Sequence, residues 1–364
     1  MSISDRTVLI ATERGVISPE QAERLRALEV ELAPGTSTNA ALPPPEDDER
    51  LRFITGFGDI FVTIGLALFL GALGYFGDVL GAAGMWAVIG AASWLLAEFF
   101  TRVQRMALPS IVLLVVFCAS VFMAASTGLG STLPLIPSLA SLGEDPLTLA
   151  LAGLATLLAA TLHYWRFRVP ITLAAGAAAV VAIVVGLVAA AAPGGIEAAI
   201  NPVLMVCGLC VFALAMRFDI SDPQRLTRRT DIAFWLHLLA APLIVHPLIR
   251  GFIWPDGAPG EASALPMLAV FAGLGVVAVL IDRRALLVSG LAYAGIAFAS
   301  LIKVSGFAGS STPLTLFILG AFILLLSALW HPLRRAALTV LPARLARRLP
   351  HPTVLPTPHI ASSS

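Results

Sequence analysis

The chain has 364 residues, of which 58% are hydrophobic and only 12% charged, and its mean hydropathy is +0.91. Soluble domains carry roughly a quarter charged residues, so a soluble sphere of this composition could not cover its own surface, and a bilayer is its expected solvent and partner. The formal net charge of +1 supplies no clustered basic face to displace counterions from phosphates, so nucleic acid is not an expected partner.

Residues 1–33 read as a small cytoplasmic helical hairpin. "RTVLIATERG" forms a first short helix that stops at Gly15, and "SPEQAERLRALEVEL" carries strong start signals for a second. Ser18 is the N-cap, Pro19 suits the first helical position, and Gln21 completes a capping box. Ala22, Leu25 and Leu28 line one face. Helices this short are marginal alone in water, so the stripe must pack on its partner helix, a second copy or the membrane domain. A DNA-reading role is disfavoured, because Asp5, Glu13, Glu20, Glu23, Glu29 and Glu31 outnumber Arg6, Arg14, Arg24 and Arg26. Residues 34–50 follow as a Pro-rich and acidic linker with a juxtamembrane segment. Its small polar residues are flexible and its prolines stiffen the end. The first 50 residues are too polar for a signal peptide, and the first apolar span is expected to remain in the mature protein.

From residue 51 onward, apolar runs alternate with short charged or Pro/Gly-rich breaks. A span needs about 20 apolar residues. The pattern predicts ten, at 54–77, 79–100, 107–128, 147–164, 170–192, 199–216, 232–253, 265–281, 285–302 and 312–330. The eighth and ninth are short and flank only "DRR", which demands a tight hairpin and makes 265–302 the weakest part of the count.

Charge asymmetry is an independent test. One set of connections holds Arg102, Arg105, Arg166, Arg168, Arg217, Arg225, Arg228, Arg229, Arg283 and Arg284, and the tail adds Arg334, Arg335, Arg344, Arg347 and Arg348. The opposite set holds essentially Lys303 and Arg250 beside Asp78, Glu144, Asp145, Glu197, Asp256 and Glu261. This is the positive-inside pattern, and it predicts that both termini are cytoplasmic. The expected fold class is therefore an all-α polytopic transmembrane bundle of about ten spans. Its domains are the hairpin 1–33, the linker 34–50, the transmembrane domain 51–331 and a basic, partly disordered cytoplasmic tail 332–364.

The layout "ERGVISPEQAERLRAL", a Pro-rich linker, "DDERLRFITGFGDIF" and then serial spans resembles bacterial integral membrane proteins that share domain of unknown function 2157. The likeness covers mainly residues 10–105 and "LFILGAFILLLSALWHPLRR". It implies an architecture in the bacterial plasma (inner) membrane, and brings no activity and no ligand residues.

Several polar groups are candidate sites. Arg52, Thr55, Asp59 and Thr63 recur at three- and four-residue steps on the first span and form one polar stripe. Such a stripe should face protein rather than lipid. Glu98 and Arg102 lie at similar depth on the second span, so Asp59, Glu98, Arg52 and Arg102 form a candidate cluster. An interfacial structural role is favoured over a proton- or cation-linked site, with simple snorkelling of the side chains as a third reading. In the seventh span, Pro242 and Pro247 interrupt the hydrogen-bond ladder, and His246 and Arg250 share a face that could line a polar cavity. His237 lies nine residues before His246 and points roughly the other way, so this helix cannot supply a two-histidine metal site. Cys207 and Cys210 share a helical face near mid-membrane and are read as small buried residues at a helix contact. Gly65, Gly71, Gly74 and Gly77, "AAGAAAVV" and "GLAYAG" are read as small-residue packing surfaces.

No phosphate loop, nucleophile elbow, metalloprotease helix or dinucleotide fingerprint occurs. No catalytic residue, metal or cofactor is expected. The expectation is a multi-pass membrane protein of unknown biochemical function that is not an enzyme. Its N-terminal hairpin would dock a cytoplasmic partner or a second copy. Transport of a small or lipophilic solute is the alternative.

Overall fold

The structure, a computed structural model, describes residues 57–130, 145–192, 195–222, 227–253, 263–304 and 311–340, with Thr12, Arg14, Ser18 and residues 20–24 before them. Arg52, most of the hairpin, the linker and the tail beyond Val340 lie outside the described residues. The chain divides into two compact units, Met1–Arg50 and Leu51–Ser364. In the first unit the capping box is present. Ser18 N donates to Gln21 Oε1 at 2.9 Å and Gln21 N to Ser18 Oγ at 3.2 Å, which satisfies two of the backbone donors that open a helix.

In the second unit every described regular element is helical. In chain order these are α1 (Phe57–Gly77), α2 (Gly81–Ala97), α3 (Ala107–Gly128), α4 (Pro146–Phe167), α5 (Ile171–Ala191), α6 (Ile196–Ser221), α7 (Arg228–Leu248), α8 (Ala264–Ile281), α9 (Ala285–Val304), α10 (Ser311–Ala328) and α11 (Trp330–Val340). Wider π turns, Glu98–Val103 and Ile249–Ile253, prolong α2 and α7. The latter follows Pro247, whose missing N–H frees a carbonyl one turn back.

Among the described residues, seven helical runs are by length and composition apolar enough to cross a membrane, or eight if the bent pair α10–α11 is one span. The first of these runs, Phe57–Val103, is one hydropathic unit of 47 residues. It folds back at the short turn Asp78–Leu80, where Gly81 takes a φ of +75° that a side chain would resist. Past that turn, Gly77 packs on Met85 and Gly74 on Ile89.

The neighbours α2–α3, α4–α5, α6–α7 and α8–α9 form the closest pairs, and α7 also packs on α5 and α9. Over half of the apolar window of α7 is buried (56%), against 17% for the 57–103 run. The first places α7 at the centre and the second places the apolar window of the 57–103 run nearer the rim. The rim faces are strongly apolar: Phe57, Phe61, Leu68, Phe76, Leu324 and Phe317 are all exposed. Exposed apolar surface on that scale marks contact with lipid or protein rather than water.

Glycine separates close contacts from open ones. Gly65 and Gly71 have nothing near the position of a Cβ, which corrects the expectation that they pack against a neighbouring helix. The tight approaches are elsewhere. A Cβ on Gly186 would lie 2.7 Å from Ala150 N and Pro146 O, and one on Gly153 3.1 Å from the Ala179 carbonyl, so α4 and α5 meet backbone to backbone. On α6, Gly208 does the same against Leu243 and Ile244 of α7. Gly186→Ala should therefore lower the melting temperature in detergent, at a cost of about 1–3 kcal/mol from overpacking. Gly65→Ala should be neutral or stabilise by up to about 1 kcal/mol through helix propensity. Equal melts for the two variants would contradict the assigned contacts.

Candidate functional site: a buried ionic brace

The C-terminal turn of α6, the first turns of α7, the α8–α9 turn and the start of α11 meet at one end of the unit. Each contributes polar groups. The α8–α9 connection is only Asp282–Arg284, the tight hairpin that "DRR" demands, and Asp282 closes α8 with a φ of +58°. Adjacent side chains of this turn point to different neighbours and tie them together.

Arg283 reaches α6. Its Nε donates to Asp219 Oδ2 at 3.1 Å and its Nη2 donates to Asp219 Oδ1, a two-pronged pairing. Planar guanidinium and carboxylate groups match in this geometry. His237 of α7 places Nε2 2.8 Å from Asp219 Oδ2, which fixes the ring proton on Nε2 if that carboxylate is ionised. Phe212 covers the imidazole edge-on at 5.2 Å between ring centres. Asp219, His237 and Arg283 are each at most 1% exposed.

Asp282 reaches the other way. It accepts from Trp330 Nε1 at 2.7 Å and from Arg334 Nη1 at 3.0 Å, and so anchors α11. The next residue, Arg284, lays its guanidinium over the Trp330 ring at 5.0 Å. Beside the brace, Asp222 accepts from the Thr227 backbone N–H at 2.9 Å, Thr227 Oγ1 at 2.6 Å and Thr230 Oγ1 at 3.2 Å. A carboxylate at the first turn of α7 is also favoured by the helix dipole.

The arrangement holds helices in register. Two carboxylate–guanidinium pairs, each neutral as a unit, lock α6 and α7 to the α8–α9 turn and that turn to α11. A buried pair gains little over apolar packing once desolvation is counted, but losing one partner strands the other. Arg283 occupies both oxygens of Asp219, which suits a brace better than an open proton relay.

A second ionic group joins α2 and α4. Arg166 donates to Glu98 through Nε at 2.8 Å and Nη2 at 2.7 Å, while the more exposed Arg102 reaches Glu98 at 3.3 Å. Of the four residues expected to cluster, Glu98 and Arg102 are paired, and Arg166 is the partner that sequence reasoning missed. Asp59 is 2% exposed. Its neighbour Gly58 lies close to Met106, so Asp59 sits level with the α2–α3 turn, and its backbone carbonyl accepts from Thr63 Oγ1 at 2.7 Å. Arg52 falls outside the described residues.

The remaining candidates are dispersed. His246 is exposed and its Nδ1 lies 2.6 Å from Tyr293 Oη of α9, while Arg250 is exposed on the π turn below it. His237 and His246 lie on different faces, one buried and one exposed. Cys207 packs partly into the core, but Cys210 is exposed, which corrects its expected place at a helix contact. Among the described residues no group of three or more His, Cys, Asp or Glu could hold a metal ion. His163 was not singled out in the sequence. It is buried among Trp94, Phe117 and Phe167, at 4.5 Å from the Phe167 ring centre, with no hydrogen-bond partner at either ring nitrogen among the described residues.

No family model, curated protein or solved structure matches the chain.

The brace makes a graded prediction. Arg283→Met leaves Asp219 and His237 buried without their cation and should cost about 3–5 kcal/mol. Arg283→Lys keeps the charge but loses the fork, and should fall between that variant and wild type. Arg102→Met, on an exposed pair, should change stability by less than about 1 kcal/mol. Thermal melts of detergent-solubilised protein rank the three, and a mild Arg283→Met would contradict the brace.

Proposed function

We propose that the chain is a non-enzymatic, multi-pass protein of the bacterial inner membrane that crosses ten times and keeps both termini in the cytoplasm. In this reading the brace sets the helix register, and residues 1–33 dock a cytoplasmic partner or a second copy of the chain. The layout shared with the domain-of-unknown-function proteins belongs to the same proposal.

The observation that carries it is the separation of surfaces. Large apolar side chains are exposed along α1, α4 and α10, while Glu98, Arg166, Asp219, Arg283, Asp282 and Arg334 pair at helix ends and turns. In lipid an unpaired charge is costly, and ionisable groups are expected to face protein or the interface. The fold-back at Asp78–Leu80 supports two crossings for the 57–103 run, and α9, at 20 residues, is long enough for another. The arginine-bearing connections supply the orientation.

Transport of a small or lipophilic solute is the second reading. It draws on α6 and α7, which contain Pro202, Pro242 and Pro247 and converge on buried Asp219 and His237. Transport requires solute-dependent flux in proteoliposomes that Asp219→Asn removes, whereas a docking protein gives none.

Topology is directly measurable. Reporters that are active only in the cytoplasm should be active when fused after Gln104 or Arg225 and silent after Val79 or near residue 140. An active signal after Val79 with silence after Gln104 would reverse the orientation, and equal signals at the two sites would remove the fold-back. Deletion of residues 1–33 should leave the protein inserted and abolish any self-association detected by crosslinking. Loss of insertion would instead make the hairpin part of the membrane fold.

A further inference from the structure

Beyond the brace, α8, α9, α10 and α11 leave a groove of about 210 Å³. Pockets for small molecules are commonly about 300–1,000 Å³, so this one is narrow. Its walls include Phe271 of α8, Leu287 and Leu291 of α9, and Phe322 and Leu326 of α10. Val288 and Ile323 also line it and are exposed, so the groove opens to the outside of the bundle. In a bilayer that outside is acyl chain.

One end of the groove differs from the rest. Arg284, Ser327 and Trp330 line it there, with the Arg284 guanidinium stacked on the indole. Stacking uses the face of a guanidinium, whereas an oxyanion binds at its edge, so the two contacts do not compete. At the same end the chain bends by 64° between α10 and α11. Arg335 of α11 is exposed, while Arg334 is held inward by Asp282. A helix that leaves a span at such an angle, with an apolar side and a basic side, suits the headgroup layer. Trp at that level is also typical of a membrane interface.

We infer that this groove binds an anionic phospholipid of the cytoplasmic leaflet, with one acyl chain between α9 and α10 and the phosphate at Arg284. Basic pockets between membrane helices on the cytoplasmic side recognise anionic headgroups in this way. The apolar walls alone would accept any lipid. Charge at the rim supplies the selectivity and favours the anionic headgroup over a zwitterionic one. The inference rests on the proposed membrane reading, and its leaflet rests on the proposed orientation.

The test uses the full-length protein in detergent, with dioleoylphosphatidylglycerol and dioleoylphosphatidylcholine added at equal concentrations. Bound lipid is counted by native mass spectrometry and melting is followed in parallel. Wild type should retain the phosphatidylglycerol at least fivefold over the phosphatidylcholine and melt at a higher temperature with it. Arg284→Gln should reduce that preference to near unity, and Arg284→Lys should keep part of it. Ile323→Trp, on the exposed wall away from the brace, should reduce retention of both lipids while the lipid-free protein melts as wild type does. If wild type holds the two lipids equally, or Ile323→Trp retains lipid normally, the site is overturned. Competition by soluble glycerophosphoglycerol as strong as that by the whole lipid would identify a free-anion site and overturn the lipid inference. Because the assay has no sides, reversed topology reporters would move the site to the other leaflet without altering lipid selectivity.

Discussion

The pairing of Arg283 with Asp219 is the constraint on which the second half of the chain depends. Both groups are essentially sealed from solvent, and neither can be moved without leaving a charge in a low-dielectric interior. Arg283 sits in a connection of three residues, so its position fixes where α8 ends and α9 begins. Asp219 sits within a turn of the end of α6. Their two-pronged geometry therefore sets the rotation and height of α6 against the α8–α9 hairpin, and His237 ties α7 to the same carboxylate. Apolar packing alone would be far more permissive. Sliding one apolar helix by a turn exchanges leucine for leucine, but it would separate these groups completely.

The brace also explains why α11 belongs to the folded unit. An eleven-residue helix with two adjacent arginines has little reason to form alone in water. Asp282 holds it through Trp330 and Arg334, and Trp330 also joins the core beside Leu286, Leu287 and Phe271. The turn thus acts in two directions at once, since Arg283 reaches back to α6 while Asp282 reaches forward to α11. The wider π turn that begins at Glu98 serves a similar purpose at the other edge, where Glu98 bridges Arg102 within its own helix and Arg166 on α4.

The helices were legible in the sequence as runs of about 20 apolar residues, the length that a crossing would need, whatever their order. The same indifference to order hid the contacts. A helix that is apolar all round carries no periodic signal of which face meets protein, so Gly65 and Gly71 looked as well suited to packing as Gly153 and Gly186. Only the structure separates the open pair from the crowded one. Cys210 was misplaced for the same reason. Glu98 and Arg102 were visible as a pair because they lie four residues apart on one helix. Arg166, Asp219, His237 and Arg283 pair across 18 to 68 residues of sequence, and nothing local marks such a partner. Three turns end on Arg105, Arg168 and Asp282 with positive φ, where glycine is the usual stop signal. Trp330 closes a hydrophobic run in the sequence and opens α11 in the structure.

On the proposed topology, one population of arginines meets two requirements that pull apart. Orientation asks for basic residues in the cytoplasmic connections, and helix pairing keeps some of those connections very short, as at Arg168–Pro170 and Asp282–Arg284. A short connection cannot carry every guanidinium out to water, so some must turn inward. Carboxylates at the same level make that tolerable. Glu98, Asp219 and Asp282 each accept from an arginine, and Asp222 caps the helix that follows it. The acids at the basic end are therefore a consequence of the short turns, whereas the net charge of only +1 is set mainly by acids elsewhere, ten of the 22 lying within residues 1–50. Arg284 of the same turn stacks on an aromatic ring at the edge of the bundle. On the proposed topology that edge faces the headgroup layer.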